Sequence, residues 1–419
     1  MPVGLPIKRK NKQMKHILNT LLAAIACVLA GCQAQDAPQE TMTNGVELTI
    51  PGNAILSEDD TASIFVHAMI AFAPQQRESV KLSFMGNEKA ILHADNDELV
   101  FNPGQKEVVL RVKSNGKHLL ATPQVVTVQV ASASNPLIKG FGKGAQITMN
   151  PDADVPLLTP TQLQLIADVQ TKYGINLSRL LGKIPVETTI TFNNADKEGF
   201  FQGQGQRVYK GYSVITLSDD ATVDHPKLKL LSNPMGLTTF LYDVLKRKTV
   251  DDNEFFMNTP YGKAAVKAIH YDERKETFEA SLDGIAFNPV SKAVTFVGEK
   301  EDVYGDKVAG LPFAYNYSAW NRLLKEKAKG TIVEIEEDGN LVGHRIDDDF
   351  LMMGGSLDPN KFLGVSAIDS DTFGHDPSDW VAPSASLDFE KGKLSFVFPW
   401  DFADGNGYEQ VRVVYTMHP

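Results

Sequence analysis

The sequence predicts a mainly β protein: an N-terminal immunoglobulin-like β-sandwich followed by a larger β-rich (α+β) domain with a few short helices. Three observations carry this. Short alternating apolar–polar runs recur from Val46 to Met149, separated by turn residues such as Pro51-Gly52-Asn53 and Asn102-Pro103-Gly104. Pro151, Pro156 and Pro160 then punctuate a boundary, and strand-like runs resume at Val186, interrupted by segments of helical period. At 419 residues the chain is long enough for two ordinary domains.

The N-terminal strands are expected at 46–50, 63–70, 80–84, 108–112 and 125–130, within a domain bounded at 46–150. In the domain 157–419, strands are expected at 186–192, 212–217, 278–287, 293–297, 331–335, 394–398 and 410–415. Glu337-Asp338-Gly339-Asn340 reads as a hairpin turn, because Asp-Gly accepts the positive φ that tight hairpins need. Helices are expected near 160–173, 237–247 and 318–329. The first has Thr159 as cap and Pro160 in its first turn; the third reads as capped by Ser318, with Lys325, Lys327 and Lys329 toward its C-terminal end. A further short helix is expected over 177–181.

Charge is unevenly placed. Five of the 41 basic residues and none of the 52 acidic ones lie in residues 1–31, so the remainder carries a formal charge of −16. Phosphate backbones repel such a body, which argues against nucleic-acid partners. The only cysteines are Cys27 and Cys32. Downstream of them the chain can form no disulfide, no thiolate metal site and no cysteine nucleophile.

A basic stretch ending at Lys15 precedes the apolar run Ile17–Leu29 and the tetrapeptide Leu29-Ala30-Gly31-Cys32. This is the layout of a signal peptide, shorter than a membrane span. Leu-Ala-Gly-Cys resembles the lipobox of bacterial lipoproteins. That resemblance implies a signal peptide over 1–31, a diacylglycerol on Cys32 and anchoring in the cell envelope, with outer-membrane sorting implied by Gln33. Residues 32–45 then read as a lipidated polar tether.

Two further resemblances concern the folded part. Leu99-Val100-Phe101-Asn102-Pro103-Gly104-Gln105 resembles the turn of Calx-β-like extracellular sandwich modules. The segments Leu158-Thr159-Pro160, Tyr173-Gly174-Ile175, Leu181-Gly182-Lys183-Ile184-Pro185-Val186, Tyr209 to Ser218 and Ser232-Asn233-Pro234-Met235-Gly236 resemble a family of uncharacterised lipoproteins, about 400 residues long, from Bacteroides-type bacteria. The family brings no assigned activity and hence no functional residues.

Candidate chemistry is sparse. Asp401, Asp404, Asn406 and Glu409 form the best calcium candidate, since hard cations need several converging oxygens on a turn. The same Asp404-Gly405-Asn406-Gly407 run also suits a plain hairpin turn. Asp347-Asp348-Asp349 and Asp369, Asp371, Asp376 are weaker clusters. Nucleotide and hydrolase motifs are missing, and His270, His344 and His375 read as surface residues. Aromatics concentrate in the last third: Tyr315, Tyr317, Trp320, Trp380, Trp400 and Tyr408. Trp380, beside Asp379 and near Asp376 in a polar loop, is the candidate stacking residue for a sugar. The expected role is a non-catalytic envelope binding protein for a glycan or another protein. A glycosidase-like secreted hydrolase and a structural or assembly lipoprotein are the alternatives. No cofactor beyond calcium is expected.

Overall fold

The structure, a computed structural model, describes residues 43–301, 307–363, 380–402, 405 and 407–419. Cys32 and most of the tether, like Asp376, Asp379, Asp404 and Asn406, lie outside the described residues. Strands hold 41% of the residues and helices 21%, so the protein is mainly β.

The N-terminal part is a sandwich of two five-stranded sheets. One has the order β5 (Leu92–Ala94), β7 (Glu107–Ser114), β3 (Ser63–Ile70), β1 (Asn44–Thr49), β9 (Ile138–Phe141). The other runs β2 (Ile55–Ser57), β10 (Ala145–Asn150), β8 (Gln124–Ala133), β4 (Glu78–Met85), β6 (Glu98–Phe101). Most pairs are antiparallel; β1–β9 and β2–β10 are parallel. The alternation has its expected effect. Ile64, Val66, Ala68 and Ile70 of β3 enter the core, while Phe65 and Met69 face outward. The core gathers residues from Val46 to Met149, including Val80, Phe101, Val112 and Val128. The Asn102–Gln105 turn closes with the Gln105 amide donating to the Asn102 carbonyl at 2.9 Å, with Gly104 at φ +80°.

Thr159 starts the larger part. Its hydroxyl accepts from the Gln162 amide at 3.2 Å, and the Gln162 side chain accepts from the Thr159 amide at 2.9 Å, a complete capping box for the helix Pro160–Tyr173. Gly174, at φ +69°, ends it. The short helix Leu177–Leu180 follows.

The large sheet is antiparallel, ordered β15 (Val294–Thr295), β14 (Phe278–Phe287), β13 (Lys227–Ser232), β12 (Gln206–Leu217), β11 (Gly182–Thr191), β23 (Glu409–Thr416), β22 (Lys393–Trp400), β21 (Ser384–Asp388), with β18 (Phe313–Tyr317) also on β14. The sheet curls until β15 and β21 touch, nearly closing a barrel, and Phe296 packs against Phe396 with ring centroids 5.0 Å apart. Inside lie Ile184, Val186, Leu230, Leu282, Phe396 and Val413, covered by the helix Thr238–Lys248 through Phe240, Leu241, Val244 and Leu245. Two hairpins stand apart: β16 (Gly298–Glu301) with β17 (Lys307–Gly310), and β19 (Ile332–Glu337) with β20 (Asn340–Arg345). Asp338 and Gly339, at φ +50° and +80°, make the second turn as expected.

Three elements differ from the sequence expectation. β12 starts at Gln206 rather than Tyr212, because ten consecutive register positions on β11 hold its polar half in the sheet. The helix Ser318–Lys329 forms, but Ser318 does not cap it. Its hydroxyl instead accepts from the Thr277 amide at 2.9 Å and donates to Glu276. The helix Pro260–Ala268, not anticipated, is capped by Thr259 and needs Gly262, where a Cβ would meet the Phe256 carbonyl oxygen at 2.1 Å. Among the described residues no helix is long and apolar enough to cross a membrane.

Candidate functional site

Four neighbouring strands of the large sheet turn one row of side chains outward. Register places Pro185 opposite Tyr212 and Glu187 opposite Lys210 on β11 and β12. Glu187 is also level with Val414 on β23, and Thr416 with Lys393 on β22. Together they line an open cleft of about 590 Å³. Its floor is apolar at Pro185 and Val414. Its polar groups are the Lys210–Glu187 pair at 2.9 Å and Lys393, which donates to the Thr416 hydroxyl at 2.6 Å. Both members of the pair are exposed, so it contributes little stability and its charges stay available to a ligand. Tyr212, 42% exposed, is the one aromatic ring in the lining.

The sandwich braces this ring. His118 meets Tyr212 edge-on with centroids 5.1 Å apart. Its Nδ1 lies 2.7 Å from Asp152 Oδ2, and Lys183 Nζ on β11 lies 3.3 Å from the same oxygen. Asp152 is buried, so two partners from different parts of the chain converge on one desolvated carboxylate. Nearby Glu58, also buried, accepts from the Leu119 and Leu120 amides at 2.9 and 2.7 Å. Burial outweighs those hydrogen bonds and pushes its carboxyl above the usual range. Gly182 adopts φ +89° and packs on the Leu120 carbonyl.

A second concentration of charge is sealed. Glu409, with 0% exposure, accepts from the Asn193 amide at 2.9 Å, and Asn193 Nδ2 donates to Asp196 Oδ2 at 2.8 Å. Burial first, then neighbouring Asp196 and Asp401, pushes the Glu409 carboxyl up to about 9, against the pull of the Asn193 amide. Phe192, Phe201, Phe240, Trp400 and Phe402 pack beside this pocket, and Arg207 and Arg247 lie over their outer rings.

A family model described as a domain of unknown function, DUF8472, matches residues 157–416, more than half of the chain. The chain belongs to that family. The DUF8472 region thus takes in the helix Pro160–Tyr173 and the whole large sheet. No curated protein matches the chain. Among solved structures, the calcium binding domain CBD12 of CALX1.1 is similar at 12% identity and TM-score 0.24, covering 49% of this chain and 89% of that one. CBD12 from CALX1.2 is similar at 12% identity and TM-score 0.22, over 44% and 80%. A protein of unknown function from Bacteroides ovatus is similar at 6% identity and TM-score 0.17, over 90% and 93%.

Of the residues singled out in sequence, Asp401 and Glu409 do approach one another within the DUF8472 region, and Asp404 and Asn406 lie outside the described residues. Among the described residues no three His, Cys, Asp or Glu side chains are grouped to hold a metal ion. Trp380 is half-buried, and its Nε1 is buried with no hydrogen-bond partner among the described residues. Of the aromatics concentrated in the last third, Tyr317, Trp400 and Tyr408 are buried, and Tyr315 and Trp320 pack against the core of the large sheet. Tyr212 and His118 were not singled out. The alternation Val208, Lys210, Tyr212 was the signal for Tyr212, hidden by the polar composition of the first half of β12.

Proposed function

We propose that the protein is a cell-envelope lipoprotein, acylated at Cys32, that binds a glycan without turnover on the outer face of the large sheet. The observation that carries this is the cleft around Tyr212. One braced aromatic ring stands over an apolar floor, with an ammonium, a carboxylate and a hydroxyl at its rim. A sugar ring presents an apolar C–H face to an aromatic and hydroxyls to such groups. Glu409, whose carboxyl burial pushes up to about 9, has no exposed surface from which to meet a substrate, so the binding reading is preferred to a hydrolase. Trp380, with Asp376 and Asp379 before it, is retained as a second stacking position at the entry to β21.

The test is a glycan array with the fragment 33–419, followed by calorimetric titration of any hit. Tyr212→Ala should weaken binding by more than about tenfold, as loss of a stacked aromatic at an energetic hot spot does. Collapse of binding in Trp380→Ala with Tyr212→Ala unaffected would move the site to the loop before β21. Metabolic labelling with a fatty-acid analogue addresses the anchor: label should be lost in Cys32→Ala, and equal label in both forms would remove it.

A further inference from the structure

The outer face of the sheet β5-β7-β3-β1-β9 carries an apolar patch that the sandwich core does not use. Phe65 and Met69 on β3, Val109 on β7 and Phe141 on β9 all face away from the core, with Phe141 69% exposed. Register sets them on one face with polar side chains between: Met69 is paired with Glu47 and Glu107, Glu47 is level with Phe141, Val109 is opposite His67 and Phe65 opposite Arg111. Gly45 lies against Phe141 and lines, with Phe141, Met69 and Thr43, a cleft of about 600 Å³. Lys106 and Lys139 stand in its lining. Large apolar side chains exposed together on one sheet face mark a candidate interaction surface.

We infer that this face rests on the bilayer that holds the lipid of Cys32. The inference depends on the lipoprotein reading above. What selects a membrane over a second copy of the chain is where the described chain begins. Thr43 lines the cleft itself, only eleven residues after Cys32. Eleven residues of chain reach at most about 40 Å. The patch is therefore held next to the membrane at high effective concentration. Lys106 and Lys139 would meet headgroup phosphates. Glu47, between Met69 and Phe141, fixes the depth: the aromatic and thioether side chains enter the headgroup boundary while that carboxylate stays hydrated.

The experiment uses the fragment 33–419 with an N-terminal hexahistidine, held on phosphatidylcholine–phosphatidylglycerol vesicles by a nickel-chelating lipid. This supplies the tether whatever happens at Cys32. Phe141→Trp places a reporter in the patch. Its emission should shift to the blue on vesicles, and the shift should vanish when Phe65→Ser and Met69→Ser are added. Without the nickel lipid, vesicle partitioning of the parent fragment should exceed that of Phe65→Ser/Met69→Ser by about tenfold. Circular dichroism melts should coincide, since all these side chains face solvent. Unchanged emission on vesicle-bound protein overturns the inference. So does a blue shift that arises without vesicles as the protein self-associates, which would assign the face to a dimer. Failure of Cys32 labelling, with the vesicle shift intact, would remove the lipid anchor but leave the membrane-binding face.

Discussion

Gly182 and Leu120 meet backbone to backbone: a Cβ on Gly182 would lie 2.7 Å from the Leu120 carbonyl oxygen. Leu120 belongs to the sandwich core and Gly182 opens β11, the strand on which the large sheet pairs in both directions. The contact fixes how the Tyr212 cleft sits against His118.

Gly182→Ala therefore adds two costs. Its φ of +89° disfavours any L side chain, and the new methyl meets a carbonyl that cannot move without disturbing Leu120. Stability should fall by at least about 2 kcal/mol in urea unfolding. A variant with unchanged midpoint and slope would show that the two parts separate freely.

Asp152→Ala leaves His118 and Lys183 facing each other without their shared carboxylate. Both side chains are partly exposed, which screens the loss, so a destabilisation of about 1–3 kcal/mol is expected. The sandwich and the large sheet should then melt as two transitions by calorimetry. A single, unshifted transition would mean that the carboxylate does not couple them.

Glu409 makes the protein less stable as pH rises. Its carboxyl would release the proton near 4.5 in the unfolded chain but holds it to about 9 when folded. Between those values the folded state carries one extra proton, so stability falls by about 1.4 kcal/mol per pH unit at most. The contribution is complete below pH 4.5 and gone above 9. Glu409→Gln, which keeps the acceptor for the Asn193 amide, should flatten the decline between pH 6 and 9 and stabilise the protein at pH 8. An identical pH dependence in parent and variant would refute the assignment.

His418 acts at the other end of the scale. It is buried, and burial first, then the ammonium of Lys89 in the sandwich, lower its proton affinity to about 4. Between 6.5 and 4 the unfolded chain holds the extra proton. Stability from this group is therefore complete above 6.5 and lost as pH falls through 4, by up to about 3 kcal/mol. His418→Gln should remove that acid-side slope while leaving the alkaline decline intact. Persistence of the slope would place its origin elsewhere.

Much of the fold was legible wherever the signal was local. Thr159-Pro160-Thr161-Gln162 specifies a capped helix within four residues, and Asp338-Gly339 specifies a hairpin within two. The first half of β12 was not legible, since Gln206, Val208 and Lys210 are outward positions whose inward partners, Arg207 and Tyr209, are only half-buried. Ser318 misled because its hydroxyl serves Glu276 and Thr277, 42 and 41 residues away, rather than its own helix. The sites depend on long-range pairing still more. Asn193 and Glu409 are 216 residues apart, and Tyr212 is braced by a histidine from the sandwich. Acidic residues at 401–409 could be read as a cation loop, but nothing local to Glu409 reveals that it points into the barrel.

The place of β23 has a kinetic consequence. It pairs with β11 on one side and β22 on the other, yet it follows every other strand in the chain. As the polypeptide emerges, β11 and β12 come together early and leave the far side of β11 with unpaired amides and carbonyls until Glu409–Thr416 arrives. Such an edge invites association with other chains, and closing a ladder over so long a loop is slow. The nascent β11 edge therefore needs shielding until residues 409–416 fill it, and a protein cut short before Glu409 would expose that edge permanently.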